Sequence, residues 1–476
     1  MMKPIRLSNK GFALPTVLLV MVIVMILVTA VTSLATTQTK EEIYFENDTS
    51  ALHAADAGLN KYLWHLNKEG SSIAMNTDTA YPEDHPSGVF KLVSITDDAN
   101  IKTVKSTGWK INNPKVIEAV EATFQKRSFT QYIYFSDEDP DSIYWSGHEN
   151  CYGPYHTNTK LSVSGHPNFW GKVTTVQGIN PRTNLTADYP IFHAGYEQLT
   201  STIDMPPNNS ELMTYGLDSD GYYYEGRTSI RLNANGTVTI WNPNYTPAIV
   251  TRPLPANGVI YVNEKNGFNY NDKFDNENGN VFIGGKLNGR LTVAAKHDIY
   301  ITGYDPTVST FTSASVTNGV TYKDTTITLN TTTGVITVNE TAGNAEADML
   351  GLIADHNVAI LTKGWFDGDN INSAVGDFRV YAALMAINGS FINSVFMNGA
   401  NPSTASPSTP GVLTVRGAII QNKRGTVGRF NSTTNVTTSG YSKNYAHDTR
   451  MNYDAPPHFL SPEGSGWEIL SWNEIN

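Results

Sequence analysis

The sequence is short of cysteine and of charge. Cys151 is the single cysteine in 476 residues, so no disulfide can form within the chain. Asp, Glu, Lys and Arg make up only 16% of it, against about 25% in a typical soluble domain. The 33 basic residues are outnumbered by 44 acidic ones, for a formal net charge of −11. That balance argues against nucleic-acid binding, which needs a basic face. Disorder is argued against by a content of 40% hydrophobic and 11% aromatic residues, enough for a large core. Zinc-ligand spacing, a phosphate loop and a dinucleotide fingerprint are all missing. No cofactor and no enzymatic activity are therefore expected. What is present instead is neutral and polar: 46 Asn, 53 Thr and 33 Ser.

Charge is also missing locally. Lys3, Arg6 and Lys10 precede a run of 29 residues, Gly11 to Thr39, that carries none. Phe12 to Ala35 is almost wholly apolar. As a helix those residues extend about 36 Å, enough for a hydrocarbon core of about 30 Å. The basic flank predicts the N-terminus on the cytoplasmic side, with the bulk of the chain exported. A cleaved secretory signal has a shorter apolar run, with a small-residue site such as Ala35 after it. A plain single-span anchor fits the length. Beyond the run, apolar residues recur at Tyr44, Leu52, Ala55, Leu59, Tyr62, Leu63 and Leu66, and no Pro interrupts residues 16–81. One helix from about Leu14 to Asn67 is expected, about 80 Å long.

The stretch Lys10-Gly11-Phe12-Ala13-Leu14-Pro15-Thr16-Val17-Leu18-Leu19 resembles a type IV prepilin leader junction. Ala54-Ala55-Asp56-Ala57-Gly58-Leu59 resembles part of the amino-terminal region of PilX-type minor pilins. The resemblance covers roughly residues 8–67. It implies a cut by prepilin peptidase between Gly11 and Phe12, with methylation of the new terminus. Leu14, Pro15, Thr16, Leu18 and Leu19 then lie on the membrane and assembly helix. Losing Lys3, Arg6 and Lys10 would take the formal charge from −11 to −14. Filament-shaft pilins usually carry Glu at the mature fifth position. Here that position is Thr16, which implies a minor subunit rather than the major one.

Residues 71–130 are expected to form a small pilin-like antiparallel sheet. Val89–Ile95, Ile101–Val104 and Val116–Phe124 read as strands with period two, separated by turn chemistry at Asp97–Asn100 and Asn112-Asn113-Pro114. Residues 131–430 become short strands between Gly and Asn, among them Val259–Val262, Val281–Ile283, Leu291–Val293, Ile299–Ile301, Val358–Leu361, Phe378–Ala382 and Leu413–Val415. Apolar residues there run consecutively more than they alternate. A right-handed parallel β-helix is expected, with a β-sandwich as the alternative. Residues 302–345 read as an insertion whose runs Thr325–Leu329 and Val335–Val338 make a hairpin. Residues 399–410 read as a loop, and 431–476 as a C-terminal tail. The fold class is thus mainly β with one long N-terminal helix. Gly153-Pro154-Tyr155-His156-Thr157-Asn158 and Pro456-Pro457-His458-Phe459, followed by Trp467–Trp472, resemble solenoid-like ectodomains attached to PilX-type pilins.

Candidate chemistry is sparse. His156 with Asn158 is a possible dyad, but a histidine at a coil corner bonded to backbone is the expectation. Cys151 is expected to be buried, with pairing to another chain as the alternative. Asp137-Glu138-Asp139-Asp141 is expected to be a solvated acidic turn around Pro140; calcium binding or paired carboxylates are the alternatives. Asp218 and Asp220, and Asp272 and Asp275, are weak calcium candidates, because neither loop has the twelve-residue spacing with a terminal Glu.

The expectation is a membrane-anchored minor pilin-like protein with an exported ectodomain for pilus assembly or surface interaction. Its expected partners are other pilins through the helix, prepilin peptidase, membrane lipid and a surface glycan. A type II secretion pseudopilin and a membrane-tethered polysaccharide-active enzyme are the alternatives.

Overall fold

The structure is a computed structural model. It describes residues 13–68, 73–82, 86–97, 101–126, 128–269, 272–307, 318–340, 347–362, 376–400, 405 and 407–475. The chain divides into two compact units: residues 1–125 with 466–476, and residues 126–465.

The first unit is a helix against an antiparallel sheet. Helix α1 is continuous over Ala13–Leu66. Pro15 falls in its first turn, where a missing N–H costs nothing. Strands β1 (Asp78–Tyr81), β2 (Gly88–Asp97), β3 (Ile101–Lys110) and β4 (Asn113–Lys126) follow, in that spatial order. Trp467–Ile475 adds a fifth strand beside β4. The expected C-terminal tail is therefore corrected: its last part is a strand of this sheet, supplied from the far end of the chain.

Only the second half of α1 is covered. Ala51, Ala54, Ala55, Leu59 and Tyr62 are buried with Phe90, Leu92, Val104, Val120, Ala122 and Phe124 from the sheet. Contact is close enough to dictate glycines. A Cβ on Gly108 of β3 would stand 2.2 Å from the Ala55 amide nitrogen, and one on Gly58 would stand 2.4 Å from Ser106 Oγ. The Ala-Asp-Ala-Gly-Leu stretch is thus the small-residue face on which helix and sheet meet. Tyr44 lies outside this face, largely exposed, contrary to the periodicity reading.

The second unit is built from short parallel strands. Strands β5 (Tyr134–Glu138), β6 (Trp145–Ser146) and β7 (Asn150–Tyr152) are followed by β8 (Tyr155–Thr157), β9 (Leu161–Ser164) and β10 (Asn168–Phe169). Then come β11 (Val173–Thr175), β12 (Ile179–Pro181), β13 (Ile191–Phe192) and β14 (Tyr196–Gln198). Strands β5 to β11 each pair in parallel with the strand three later. Tyr155 is flanked by Tyr134 and Val173, Cys151 by Phe169 and Tyr445, and Val163 by Trp145 and Pro181. Three ladders of this kind are consistent with a β-helix and not with the antiparallel pairing of a sandwich.

The order of coils along the ladder is not the order along the chain. After β14 the chain crosses to the far end, where Tyr222–Glu225 pairs with Val259–Asn263. It then returns strand by strand through Arg290–Ala295, Met349–Ala354, Phe378–Ala386 and Gly411–Lys423. Gly411–Lys423 finally pairs with β5, Ile419 against Tyr134. The first and last coils are therefore neighbours, joined along a seam.

The strands are buried on both faces, as in Met349–Ala354, which explains why apolar residues run consecutively instead of alternating. Neutral amides supply backbone partners inside. Asn278, fully buried, donates to the carbonyls of Asn269 and Asp272 and accepts from the Asn269 N–H. Asn318, Asn398 and Asn435 occupy left-handed backbone positions. Many of the Asn, Thr and Ser residues thus work within the coils. The expected insertion is narrower than 302–345: Gly319–Tyr322 belongs to the main ladder, and the antiparallel hairpin is Thr325–Leu329 with Ile336–Glu340. Thr437–His447, read as tail, is a ladder strand.

Candidate functional site

Two regions depart from what water and a single chain would dictate. One is the first half of α1. Leu14, Leu18 and Leu19 are mostly exposed, Leu14 at 73%, and so are the large apolar residues from Val17 to Leu34. This helix is long and apolar enough to cross a membrane by length and composition, with none of its most apolar window buried inside the structure. Thr29, Thr32 and Thr36 return their hydroxyls to carbonyls one turn back, so they leave no polar group seeking water. Pro15 and Thr16 lie in the first turns. Gly11 and Phe12, the expected processing site, lie outside the described residues.

The other region is the seam, where charge is buried. Asp139 and Arg424 face each other at 3.3 Å with both side chains fully inaccessible. Asp139 also accepts from Ser136 Oγ at 2.6 Å and from the Tyr155 hydroxyl at 2.7 Å. The guanidinium lies 4.9 Å from the Trp145 ring centre. Burial opposes the Arg424 charge, yet Asp139, Tyr134 and Tyr155 hold it above its ordinary range. Nearby, Lys443 Nζ sits 2.7 and 2.8 Å from the two Glu149 oxygens and 4.6 Å from the Trp145 ring. Burial pulls the Lys443 ammonium down, partly offset by Glu149. Arg424 Nε and Nη2 and Trp145 Nε1 have no hydrogen-bond partner among the described residues.

The acidic run is a solvated turn only in part: the Ile143 N–H closes a turn on the Pro140 carbonyl and Glu138 and Asp141 are exposed, but Asp139 is buried. Asp139 is buried on Arg424, Asp137 accepts from Asn158 at 2.6 Å, and Asp141 accepts from Asn180 at 3.0 Å. Glu138 makes an exposed ion pair with Lys423 at 2.8 Å, and the Asp141–Asn180 contact is exposed as well. All four are held by partners from other parts of the coil stack. Nothing near Asp139 in sequence signals this, because Arg424 lies 285 residues away.

His156 is in the middle of β8 rather than at a corner, and its partners are side chains. Nδ1 is 2.8 Å from Thr174 Oγ1 and Nε2 is 2.9 Å from Asn158 Oδ1. Burial lowers its proton affinity. Both ring nitrogens are occupied, and the Asn158 amide is committed to Asp137 and to the Ile203 backbone. Cys151 is buried between Phe169 and Tyr445, and burial pushes its thiol well above the ordinary range, which makes it unreactive.

The four calcium candidates stay on their loops. Asp218 ends helix α2 (Ser210–Leu217), and its carboxylate accepts from the Ser219 hydroxyl. Asp220 is exposed. Asp272 accepts from the Phe274 N–H, and Asp275 from the Glu277 N–H and the Asn269 amide. Those hydrogen bonds hold the Asp275 carboxyl below its usual range. Among the described residues no three His, Cys, Asp or Glu side chains converge as a metal group would require.

Residues 99–177 match the family described as "Domain of unknown function (DUF4900)". The match starts between β2 and β3 and ends just after β11. None of the curated proteins matches this chain. Among solved structures the chain is similar to the "Crystal structure of competence-associated pilin ComZ from Thermus thermophilus", with 12% identity, 90% of this chain and 97% of that chain covered, and a TM-score of 0.29. A TM-score that low does not establish a shared fold.

Proposed function

We propose that this chain is a minor pilin-type structural protein, anchored in a membrane by α1 and carrying an exported β-rich ectodomain. The observation that carries this reading is the division of one uninterrupted helix into an exposed apolar half and a half packed on an antiparallel sheet. The exposed half suits lipid before assembly and the helices of other pilins afterwards. Thr16 supplies no carboxylate to pair with a neighbour's amino terminus, which suits sparse incorporation rather than a repeated shaft subunit. A structural role is also supported by the acidic run, whose members are held by Arg424, Asn158, Asn180 and Lys423.

Mass spectrometry of the mature amino terminus tests the reading. The expected terminus is an N-methylated Phe12, lost when Gly11 is replaced by a bulkier residue. An intact Met1, or a cut after Ala35, would overturn it.

A further inference from the structure

The seam is lined on one side by a cleft of about 400 Å³, within the range of about 300–1,000 Å³ found for small-molecule sites. Ser142, Tyr144 and Glu149 come from the first coil, and Thr426, Phe430 and Lys443 from the last coils. The Glu149–Lys443 ion pair that lines it is largely buried, with side chains 11% and 10% exposed. Two of the ammonium's three donors meet Glu149 oxygens. The carboxylate, with about four acceptor sites, receives Lys443 twice and the Ser146 N–H once. The pair thus sets donor and acceptor atoms side by side with formal charges that cancel, the ammonium also lying 4.6 Å from the Trp145 ring. At this pair an anion would meet Glu149 and a cation would meet Lys443, whereas a hydroxyl both donates and accepts. The hydroxyls of Ser142, Thr426 and Thr437 add groups of the same kind, and Tyr144 and Phe430 add rings that suit the C–H face of a sugar. Arg429 also lines the cleft and leaves the whole lining one charge positive, while the Glu149–Lys443 pair itself is neutral. Glu149 is the one carboxylate among the described lining residues, whereas glycoside hydrolysis takes a pair of carboxyl groups.

We propose that this cleft binds a short neutral saccharide without cleaving it. The inference stands on the cleft and does not depend on the pilin-type reading. The full chain, held in a detergent without sugar headgroups, is exposed to arrayed neutral and uronic-acid oligosaccharides. The best neutral one is then titrated by calorimetry. Glu149→Gln with Lys443→Met removes both charges at similar volume and is expected to weaken binding about tenfold or more. Tyr144→Ala is expected to weaken it several-fold with unchanged melting. Should the double variant melt early, Tyr144→Ala decides. The proposal is overturned if no neutral saccharide binds, if only uronic acids bind, if the bound sugar is hydrolysed, or if neither variant changes the affinity.

Discussion

The exposed half of α1 and the seam of the β unit are opposites. On the helix, large apolar side chains stand outside with nothing over them. At the seam, a guanidinium, an ammonium and two carboxylates are buried or nearly so. Burying an isolated charge costs several kcal/mol, as does dissolving a long apolar helix in water. Each arrangement persists only with a partner. The charges find theirs within the chain, between coils that meet after a long detour. The helix finds none among the described residues; under the proposed function lipid or the helices of other pilins supply it.

Removing one seam partner has the largest expected effect. Arg424→Ala leaves the Asp139 carboxylate buried and unpaired and should cost about 3–5 kcal/mol of unfolding free energy. Arg424→Met with Asp139→Asn should recover most of it, since removing both charges removes the desolvation penalty. A single-variant loss of under about 1 kcal/mol would put the pair on a level with surface ion pairs and erase the contrast.

On the helix, Val24→Arg should disfavour membrane insertion by about 2.5–3.5 kcal/mol, read as the fraction of chains inserted, while the β unit melts as before. A lowered melting temperature with unchanged insertion would mean that this half of the helix packs on protein instead.

The smallest effect is a pH dependence in the β unit. Burial lowers His156 and His447 from the ordinary imidazole value of 6.5. Below that value the unfolded chain takes up protons that these two sites resist, so stability is full above it and falls as pH drops toward their lower folded values. His356 is raised by its hydrogen bond to Asp298 and works in the opposite direction. Melting at about pH 5.5 should therefore lie modestly below melting at about pH 7.5. His447→Gln keeps a donor for the Thr130 carbonyl, which His447 Nε2 reaches at 2.7 Å, and should shrink the difference. An unchanged difference would remove His447 from the account.

Legibility differed in the same way as the chemistry. Helix α1 was readable to within a residue or two, because length, hydropathy and the absence of Pro act locally. The strands from Val89 to Phe124 and the hairpin at 325–340 were readable for the same reason, through period two and turn residues. Tyr44 was misplaced because periodicity marks a face without saying how far the covering sheet extends. Asp139 and His156 escape a local reading because a deciding partner comes from another coil: Arg424 for the first and Thr174 for the second.

What the sequence determined by itself is a long apolar helix, a small antiparallel sheet and a charge-poor chain of short strands. Hydrophobic run length, alternation and turn chemistry each span a few residues, and neighbours along the chain suffice to specify them. What only the tertiary structure decided is the order in which the coils stack, the identity of the fifth strand, and the burial of Asp139 and Glu149. Those depend on residues brought together across 285 and 294 positions, where the free energy of a charge is set by its spatial neighbours and not by its sequence neighbours.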